Sequence, residues 1–268
     1  MRHLREVWER GGVPINGWLG IGNPFTAEIM AEAGYDALTI DVQHGALDYA
    51  DALPMLQAMR ASGVFPMARA PWREPGVVMK LLDAGAMGII CPMVSTAEQA
   101  AEFASFLRYP PRGNRSFGPT RIGVAHGLDA YGREANDLVI GLAMIETAEG
   151  MANRDAIAAT PGIDGLYIGP TDLSISLSNG RLAPGMDRQE PEMIAAIQSI
   201  REAAHRHGKK ACLHCASPDY AAKGVEWGFD LVTVSADTRI LAAGAQAQVK
   251  RFRELAGQGE SAAKGAGY

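Results

Sequence analysis

Short apolar segments alternate with longer helical segments along almost the whole chain, and this alternation strongly limits the possible folds. Eight segments are predicted as strands: Gly17–Ile21, Ala37–Val42, Phe65–Ala70, Gly88–Val94, Leu138–Glu146, Gly165–Gly169, Lys210–Cys215 and Leu231–Ser235. The clearest helices between them are Tyr49–Ala61, Pro75–Ala84, Ala97–Leu107, Pro191–His207 and Ile240–Leu255. Continuous apolar strands that are each followed by a helix pair in parallel and are buried on both faces. The pattern predicts an α/β fold, a single closed (β/α)8 TIM barrel, for which 268 residues is an ordinary length.

The predicted barrel domain covers residues 1–256, and the small polar residues of 257–268 predict a disordered tail. Residues 109–137 show no clear period and are interpreted as one long inserted loop. A loop of that length inside a compact domain is usually functional or lies at an interface.

Composition and charge exclude several classes of protein. The net charge is −5 without a basic run, so a nucleic-acid partner is not expected. No stretch of eighteen apolar residues predicts a membrane span, and the charged first nine residues lack the apolar core of a signal peptide. Three cysteines are too few for a disulfide framework in a chain of this length. We therefore expect a cytoplasmic protein.

Charged side chains stand where several predicted strands end. Asp41 and His44 follow the second strand, Arg69 ends the third, Glu146 ends the fifth, and Asp172 follows the sixth. In a parallel barrel the carboxyl ends of the strands form one rim, and reactive groups come from that rim. These residues are therefore candidates for one active site.

Glu146 and Asp172 are the candidate metal ligands. Two carboxylates on neighbouring strand ends can bind a hard divalent cation and leave positions for water and substrate. The alternative is that each caps a helix or pairs with an arginine, and for a lone carboxylate that alternative would be favoured. Two on adjacent strands favour metal binding.

His44 is the candidate general acid/base, and Asp41, three residues earlier, is a candidate to orient its ring. The alternative is an ordinary polar turn. The planar guanidinium of Arg69 suits a carboxylate or an enolate oxygen. A structural ion pair of Arg69 with Asp41 or Asp83 is almost as well supported by spacing alone.

Gly169-Pro170-Thr171-Asp172 presents the backbone amides of Thr171 and Asp172 at a predicted helix start, which would suit a substrate carboxylate. Cys212-Leu213-His214-Cys215 has the spacing of a zinc motif, but residues three apart on a strand point to opposite faces. That segment is interpreted as core.

At these same positions the chain resembles the HpcH/HpaI aldolase family, the class II pyruvate aldolases. The resemblance is carried by ordered segments from Gly17 to the last helix. They include Gly17-Trp18-Leu19-Gly20, Ile40-Asp41-Val42-Gln43-His44-Gly45, Arg69-Ala70-Pro71-Trp72, Ile145-Glu146-Thr147 and Gly165-Leu166-Tyr167-Ile168-Gly169-Pro170-Thr171-Asp172-Leu173-Ser174. Together they are specific, although no single segment would be.

The resemblance implies an aldolase that cleaves 4-hydroxy-2-oxo acids to pyruvate, or an analogue such as hydroxypyruvate, and an aldehyde. It implies Mg²⁺, Mn²⁺ or Co²⁺ bound by Glu146 and Asp172, with Arg69 neutralising the enolate. The His44–Asp41 dyad would move the proton. The residues expected to bind substrate are Arg69, Gly169, Thr171, Asp172, Trp18 and Leu213. The resemblance also implies a hexamer that exchanges its last helix between subunits, in which Asp83 reaches a neighbouring active site.

The chain departs from the family pattern at two positions. Gln43 stands where many members have Glu, and Met144 where several have Gln, which leaves the acceptor aldehyde open. A 2-oxo acid decarboxylase or an acyl-CoA lyase working through the same enolate remains an alternative, although no basic patch for CoA is evident. A catalytically silent barrel would be expected to lack a metal carboxylate or His44, and all are present.

Overall fold

The computed structural model describes residues 3–258 as a closed barrel of eight parallel strands, joined in the order β1-β2-β3-β4-β5-β6-β7-β8. The strands are β1 Ile15–Leu19, β2 Ala37–Asp41, β3 Phe65–Arg69, β4 Gly88–Cys91, β5 Ile140–Ile145, β6 Gly165–Ile168, β7 Lys210–Cys215 and β8 Leu231–Ala236. All eight strands predicted from the sequence are confirmed, with β1 beginning two residues earlier. Strand β8 pairs with β1 and closes the barrel.

The described residues form thirteen helices around the strands. They are α1 Leu4–Glu9, α2 Pro24–Ala31, α3 Tyr49–Ala58, α4 Pro75–Ala84, α5 Ala97–Leu107, α6 Thr120–His126, α7 Leu128–Leu138, α8 Ala148–Ala152, α9 Arg154–Ala159, α10 Pro170–Leu177, α11 Pro191–Arg206, α12 Pro218–Glu226 and α13 Asp237–Leu255. No described helix is long and apolar enough to cross a membrane. Most of the predicted tail, residues 259–268, lies outside the described residues.

The inserted segment 109–137 is irregular as far as residue 119, and the prediction of an irregular loop is wrong for the remainder, which is helical. Helices α6 and α7 occupy most of it, separated by Gly127, whose φ is +92°. Neither helix begins with a side-chain cap. The usual sequence signal of a helix start is therefore missing.

Side chains alternate between two apolar layers along each strand. Trp18, Met67, Leu142 and Tyr167 point into the barrel, where they form one cluster with Phe65. The intervening residues form a second cluster between the strands and the helices. On β7, Cys212 belongs to the interior cluster and Cys215 to the outer one, as expected for residues three apart on a strand. The carboxyl ends of the strands are thus held on a rigid frame.

Candidate active site

Four of the predicted charged residues lie at the carboxyl ends of strands or just beyond them. Asp41 and Arg69 are the last residues of β2 and β3, and they face each other in the strand register. Glu146 directly follows β5, and Asp172 lies in the first turn of α10, after β6. The barrel therefore places all four on one rim.

Glu146 is buried, with 2% of its surface exposed, although it is charged in its usual form. Its Oε1 accepts a hydrogen bond of 2.7 Å from the backbone N–H of Met93. Met93 has a φ of +56°, and Arg73 Nη1 donates to its carbonyl oxygen over 3.0 Å. The left-handed backbone at Met93 and the contact from Arg73 thus hold an amide against the carboxylate.

The pKa of Glu146 is raised to about 7, because burial penalises the charged form and the nearby Asp172 carboxylate adds to the effect. Met93 N–H and Arg69 oppose this rise. Two carboxylates that raise each other's energy are an arrangement that a divalent cation relieves.

Gly169 lies directly beside the Glu146 side chain, and its lack of a side chain leaves room for the carboxylate. A Cβ added to Gly169 would lie 2.5 Å from Glu146 Oε2 and 2.6 Å from Met144 Cε. Met144 is buried in the barrel interior. The glycine is therefore needed for the carboxylate to occupy its present position.

The donor set at this rim fits a hard cation that keeps some non-protein ligands. Within residues 3–258, no group of three or more His, Cys, Asp and Glu side chains could enclose a metal ion. Glu146 and Asp172 would supply two oxygen ligands. Such sites are typical of cations that also bind water and substrate oxygens.

Arg69 and Asp41 form a buried, two-pronged ion pair. Arg69 Nε donates to Asp41 Oδ1 over 2.8 Å and Arg69 Nη2 to Oδ2 over 2.6 Å. Trp18 Nε1 donates to the same Oδ2 over 3.0 Å, and the Arg69 guanidinium lies 4.9 Å from the Trp18 ring centre. Burial acts to raise the pKa of Asp41, but the Arg69 contacts and the Trp18 hydrogen bond hold it below its usual value. The ion pair weighed from the sequence is present, and it fixes the orientation of Arg69.

His44 is exposed and lies in the loop that follows β2. Its backbone N–H donates to Asp41 Oδ1 over 3.2 Å, and the backbone N–H of Gln43 donates to the same oxygen over 3.1 Å. The structure therefore connects Asp41 to the main chain of His44, whereas the sequence predicted a contact with its ring. The amide oxygen of Gln43 is buried and has no hydrogen-bond partner in the described part of the chain.

Helix α10 begins beside Glu146. Its N-cap residue is Gly169, and no side chain caps this end of the helix. Pro170 has no N–H, so the first amides that the helix start offers are those of Thr171 and Asp172. These are the amides predicted to bind a carboxylate.

Asp83 lies on α4 and is paired within its own chain. Arg115 Nη2 donates to Asp83 Oδ1 over 2.8 Å, and the Arg115 side chain is fully buried. Arg115 also donates to the Tyr131 hydroxyl over 3.0 Å. The predicted contact with a neighbouring active site stays a prediction.

The predicted substrate contact of Leu213 stays a prediction, although its side chain points away from the barrel interior. This side chain belongs to the outer cluster, where it packs near Gly224 of α12. Because neighbouring residues on a strand point to opposite faces, the inward side chain at the end of β7 is that of His214. The sequence segment that contains His214 was interpreted as core, although the alternation with Leu213 indicates that the His214 ring points inward.

His214 contacts the predicted substrate residue Trp18. The two rings are nearly perpendicular, at 87°, with centroids 4.6 Å apart. Trp18 also contacts Arg69 and Asp41, so His214 lies at the floor of the same rim.

The barrel and its rim together define a protein of the (β/α)8 class with a candidate site that contains two carboxylates and an arginine. The HpcH/HpaI aldolase/citrate lyase family matches residues 15–244. The chain belongs to this family, whose class II aldolases depend on a divalent metal, and it is a carbon–carbon lyase.

Similar proteins have aldolase names. The chain is 43% identical over 255 residues to a hydroxypyruvate/pyruvate aldolase of Rhizorhabdus wittichii, covering 95% of this chain and 100% of the relative. It is 33% identical to a 5-keto-4-deoxy-D-glucarate aldolase of Klebsiella pneumoniae, covering 90% and 93%. A crystal structure of an HpcH/HpaI aldolase/citrate lyase family protein from Burkholderia cenocepacia superposes with a TM-score of 0.84 at 31% identity, covering 93% of this chain and 98% of that one.

Proposed function

We propose that this chain reversibly cleaves 4-hydroxy-2-oxo acids to an aldehyde and either pyruvate or hydroxypyruvate. The observation that carries the proposal is that Glu146 lies beside the start of the helix that carries Asp172. Burial, aided by the charge of Asp172, raises the pKa of Glu146 to about 7. The name of the Rhizorhabdus wittichii relative supports both donor acids.

Glu146 and Asp172 are the residues proposed to hold the divalent cation, which is Mg²⁺, Mn²⁺ or Co²⁺. When bound, such a cation polarises the keto group and stabilises the negative charge of the enolate. Within the described residues 3–258, no lysine stands at the carboxyl end of a strand, so the residues of the rim do not support a Schiff-base route.

Arg69 is proposed to stabilise the negative charge that develops on the keto oxygen. The two hydrogen bonds to Asp41 and the contact with Trp18 hold the guanidinium in place before substrate binds. A charged group that does not have to reorganise stabilises a transition state best.

The start of α10 is proposed to bind the substrate carboxylate through the amides of Thr171 and Asp172. Free amides and the helix dipole both favour an anion at this end. The Gly169 backbone keeps this helix start next to Glu146.

His44 is proposed to take the proton of the 4-hydroxyl group during cleavage and to return it during addition. It is exposed in the loop that follows β2, and Asp41 holds its main chain. A positioned acid/base of this kind usually contributes about 10²–10⁴-fold to the rate.

We propose that the working protein is a hexamer in the cytoplasm that exchanges its last helix. The exposed apolar side chains of α13 support an assembly of subunits, among them Leu241, Phe252 and Leu255. The three cysteines are free thiols, as expected in a reducing compartment.

The test is an assay of pyruvate and hydroxypyruvate release from a panel of 4-hydroxy-2-oxo acids, with each candidate metal supplied. The proposal predicts turnover of at least one panel member. Turnover only of acyl-CoA thioesters, with none of the panel cleaved, would assign the chain to the lyase alternative.

A further inference from the structure

His214 is a buried polar residue in a layer that barrels usually fill with branched apolar side chains. It is the penultimate residue of β7 and has 9% of its surface exposed. Its ring packs edge-on against Trp18, which in turn contacts Arg69 and Asp41. His214 is thus both inside the barrel and adjacent to the rim that carries the reaction.

A chain of hydrogen bonds leads from His214 across the barrel interior, and we name it the interior polar chain. The Tyr167 hydroxyl lies 2.9 Å from His214 Nδ1 and 2.6 Å from Thr233 Oγ1. The side-chain amide of Asn16 lies 2.9 Å from Thr233 Oγ1 and 3.0 Å from Thr39 Oγ1, and its two orientations exchange donor and acceptor at these hydroxyls. All five residues are buried, so each group needs its partner.

The interior polar chain can run in two directions. In one, Asn16 Nδ2 donates to Thr233, Thr233 to Tyr167, and Tyr167 to His214 Nδ1, which places the ring proton on Nε2. When the Asn16 amide is rotated, its oxygen accepts from Thr233 Oγ1 over 2.9 Å. Tyr167 then donates to Thr233 and His214 Nδ1 donates to Tyr167, so Nε2 becomes an acceptor.

His214 Nε2 is therefore available to a ligand as a donor or as an acceptor. Among residues 3–258, the hydrogen bond of this ring is made by Nδ1. Burial, aided by the positive charge of Arg69, lowers the pKa of His214 to about 3, so the ring stays neutral. A neutral imidazole with one free nitrogen suits a hydroxyl group, which both donates and accepts.

The position of His214 matches one part of the proposed donor substrate. A 2-oxo acid held on the side of Glu146 and Asp172 by its carboxylate and keto oxygens carries C3 on the opposite side of C2. Glu146 follows β5, and β1, which carries Trp18, is directly across an eight-stranded barrel. Trp18 therefore lies on the side that C3 would face, and the His214 ring, which projects from β7, packs against the Trp18 ring.

We propose that His214 selects donor acids that carry a hydroxyl on C3, such as hydroxypyruvate, by forming a hydrogen bond from Nε2 to that hydroxyl. The interior polar chain adjusts the ring proton to the hydroxyl. This inference rests on the proposed function. The alternative is that the interior polar chain only fixes the packing of the barrel, in which case the two donor acids would respond equally to its loss.

The experiment measures kcat/KM for hydroxypyruvate and for pyruvate in addition to one acceptor aldehyde, glyceraldehyde, with one metal. The readout is the ratio of the two values, because general damage to the site lowers both. His214→Leu removes the ring nitrogen but keeps an apolar side chain. Tyr167→Phe keeps His214 and removes its hydrogen-bond partner. His207→Leu, at the exposed end of α11, is the matched control.

We expect His214→Leu to lower the ratio of hydroxypyruvate to pyruvate by about tenfold to a hundredfold, the usual effect of losing a buried hydrogen bond to a substrate hydroxyl. Tyr167→Phe should lower it in the same direction by a smaller factor, and His207→Leu should leave it unchanged. If His214→Leu does not fold, as judged by circular dichroism, the Tyr167→Phe ratio decides.

A ratio within about threefold of wild type in the deciding variant would overturn the inference, since it leaves no room for a hydrogen bond to the hydroxyl. If the proposed function itself is wrong, the experiment gives a different result. In that case the wild-type protein would form no carbon–carbon bond with either donor, although the barrel is folded.

Discussion

At the scale of single residues, Asp41 shows how the structure changes an expected role. Its carboxylate was expected to orient the His44 ring, but it is occupied by two hydrogen bonds from Arg69 and one from Trp18. The backbone N–H groups of Gln43 and His44 also donate hydrogen bonds to the Asp41 carboxylate. Asp41 therefore positions Arg69 directly and His44 only through the backbone.

The first prediction separates the proton transfer of aldol cleavage from the formation of the enolate. His44→Ala should lower aldol turnover by roughly 10²–10⁴-fold, because cleavage needs a base for the 4-hydroxyl proton. Decarboxylation of oxaloacetate should fall much less, since it forms the same enolate without that proton transfer. Both rates are measured on the same purified variant. An equal loss in the two reactions would mean that His44 serves enolate formation instead.

The second prediction concerns pH and His214. Its folded-state pKa is lowered to about 3, whereas that of an unfolded histidine is 6.5. Between these values the unfolded chain binds a proton that the folded chain excludes, so stability is lost as pH falls through this window. On lowering the pH from about 7.5 to about 5, wild type should lose roughly 2 kcal/mol more unfolding free energy than His214→Leu.

Urea unfolding at the two pH values measures this difference, with His207→Leu as the control. A control that matches wild type is expected. Equal pH dependence in wild type and His214→Leu would show that the ring is protonated in the folded protein.

At the scale of elements, the alternation of strands and helices was predictable because parallel strands are buried on both faces. That burial makes each strand a continuous apolar run, as in Gly88–Cys91 and Ile140–Ile145. Helices α6 and α7 could not be predicted in the same way, since both begin without a side-chain cap. Their boundaries depend on packing against α4 and on each other.

In the candidate site, too, some features could be predicted from the sequence and others could not. The sequence identified Glu146, Asp172 and Arg69, because charged residues at the ends of apolar strands are conspicuous. The direction of each side chain depends on strand register, and the inward position of the His214 ring was not predicted from the sequence. The contact of Met93 with Glu146 could not be predicted, as it depends on a left-handed backbone at a non-glycine residue.

The third prediction tests the junction of β6 and α10. Gly169→Ala adds a methyl group within 2.5 Å of Glu146 Oε2, so the carboxylate has to move. We expect Mn²⁺ affinity, measured by calorimetry, to fall by about tenfold or more, equivalent to at least ~1.4 kcal/mol. Gly20→Ala is the matched control on the same rim, because its added Cβ meets only ordinary contacts, with Thr238 Cγ2 at 3.5 Å. Unchanged affinity in Gly169→Ala would argue that Glu146 is not a ligand.

At the scale of the whole molecule, the last helix stands out. Most of α13 is exposed, including Phe252 at 63% and Leu255 at 69%. Large apolar side chains on one exposed helix are typical of a surface that another subunit covers.

The fourth prediction follows from this exposure. Sedimentation should give a hexamer for the wild-type protein, and Phe252→Glu should shift it to smaller assemblies, since a buried unpaired charge is costly. Val225→Glu, at an exposed apolar position of α12, is the control and should not change the assembly. A wild-type monomer at micromolar concentration would contradict the proposed assembly.

Catalysis is proposed to depend on a divalent cation held by Glu146 and Asp172. The most direct measurement is pyruvate release by exhaustively chelated protein, before and after addition of Mg²⁺, Mn²⁺ or Co²⁺, for wild type, Glu146→Gln and Asp172→Asn. The chelated wild-type protein should be inactive and should recover its activity when metal is added. Neither variant should recover. Full activity after chelation would contradict the proposal, as would variants within about tenfold of wild type, a barrier change of only ~1.4 kcal/mol.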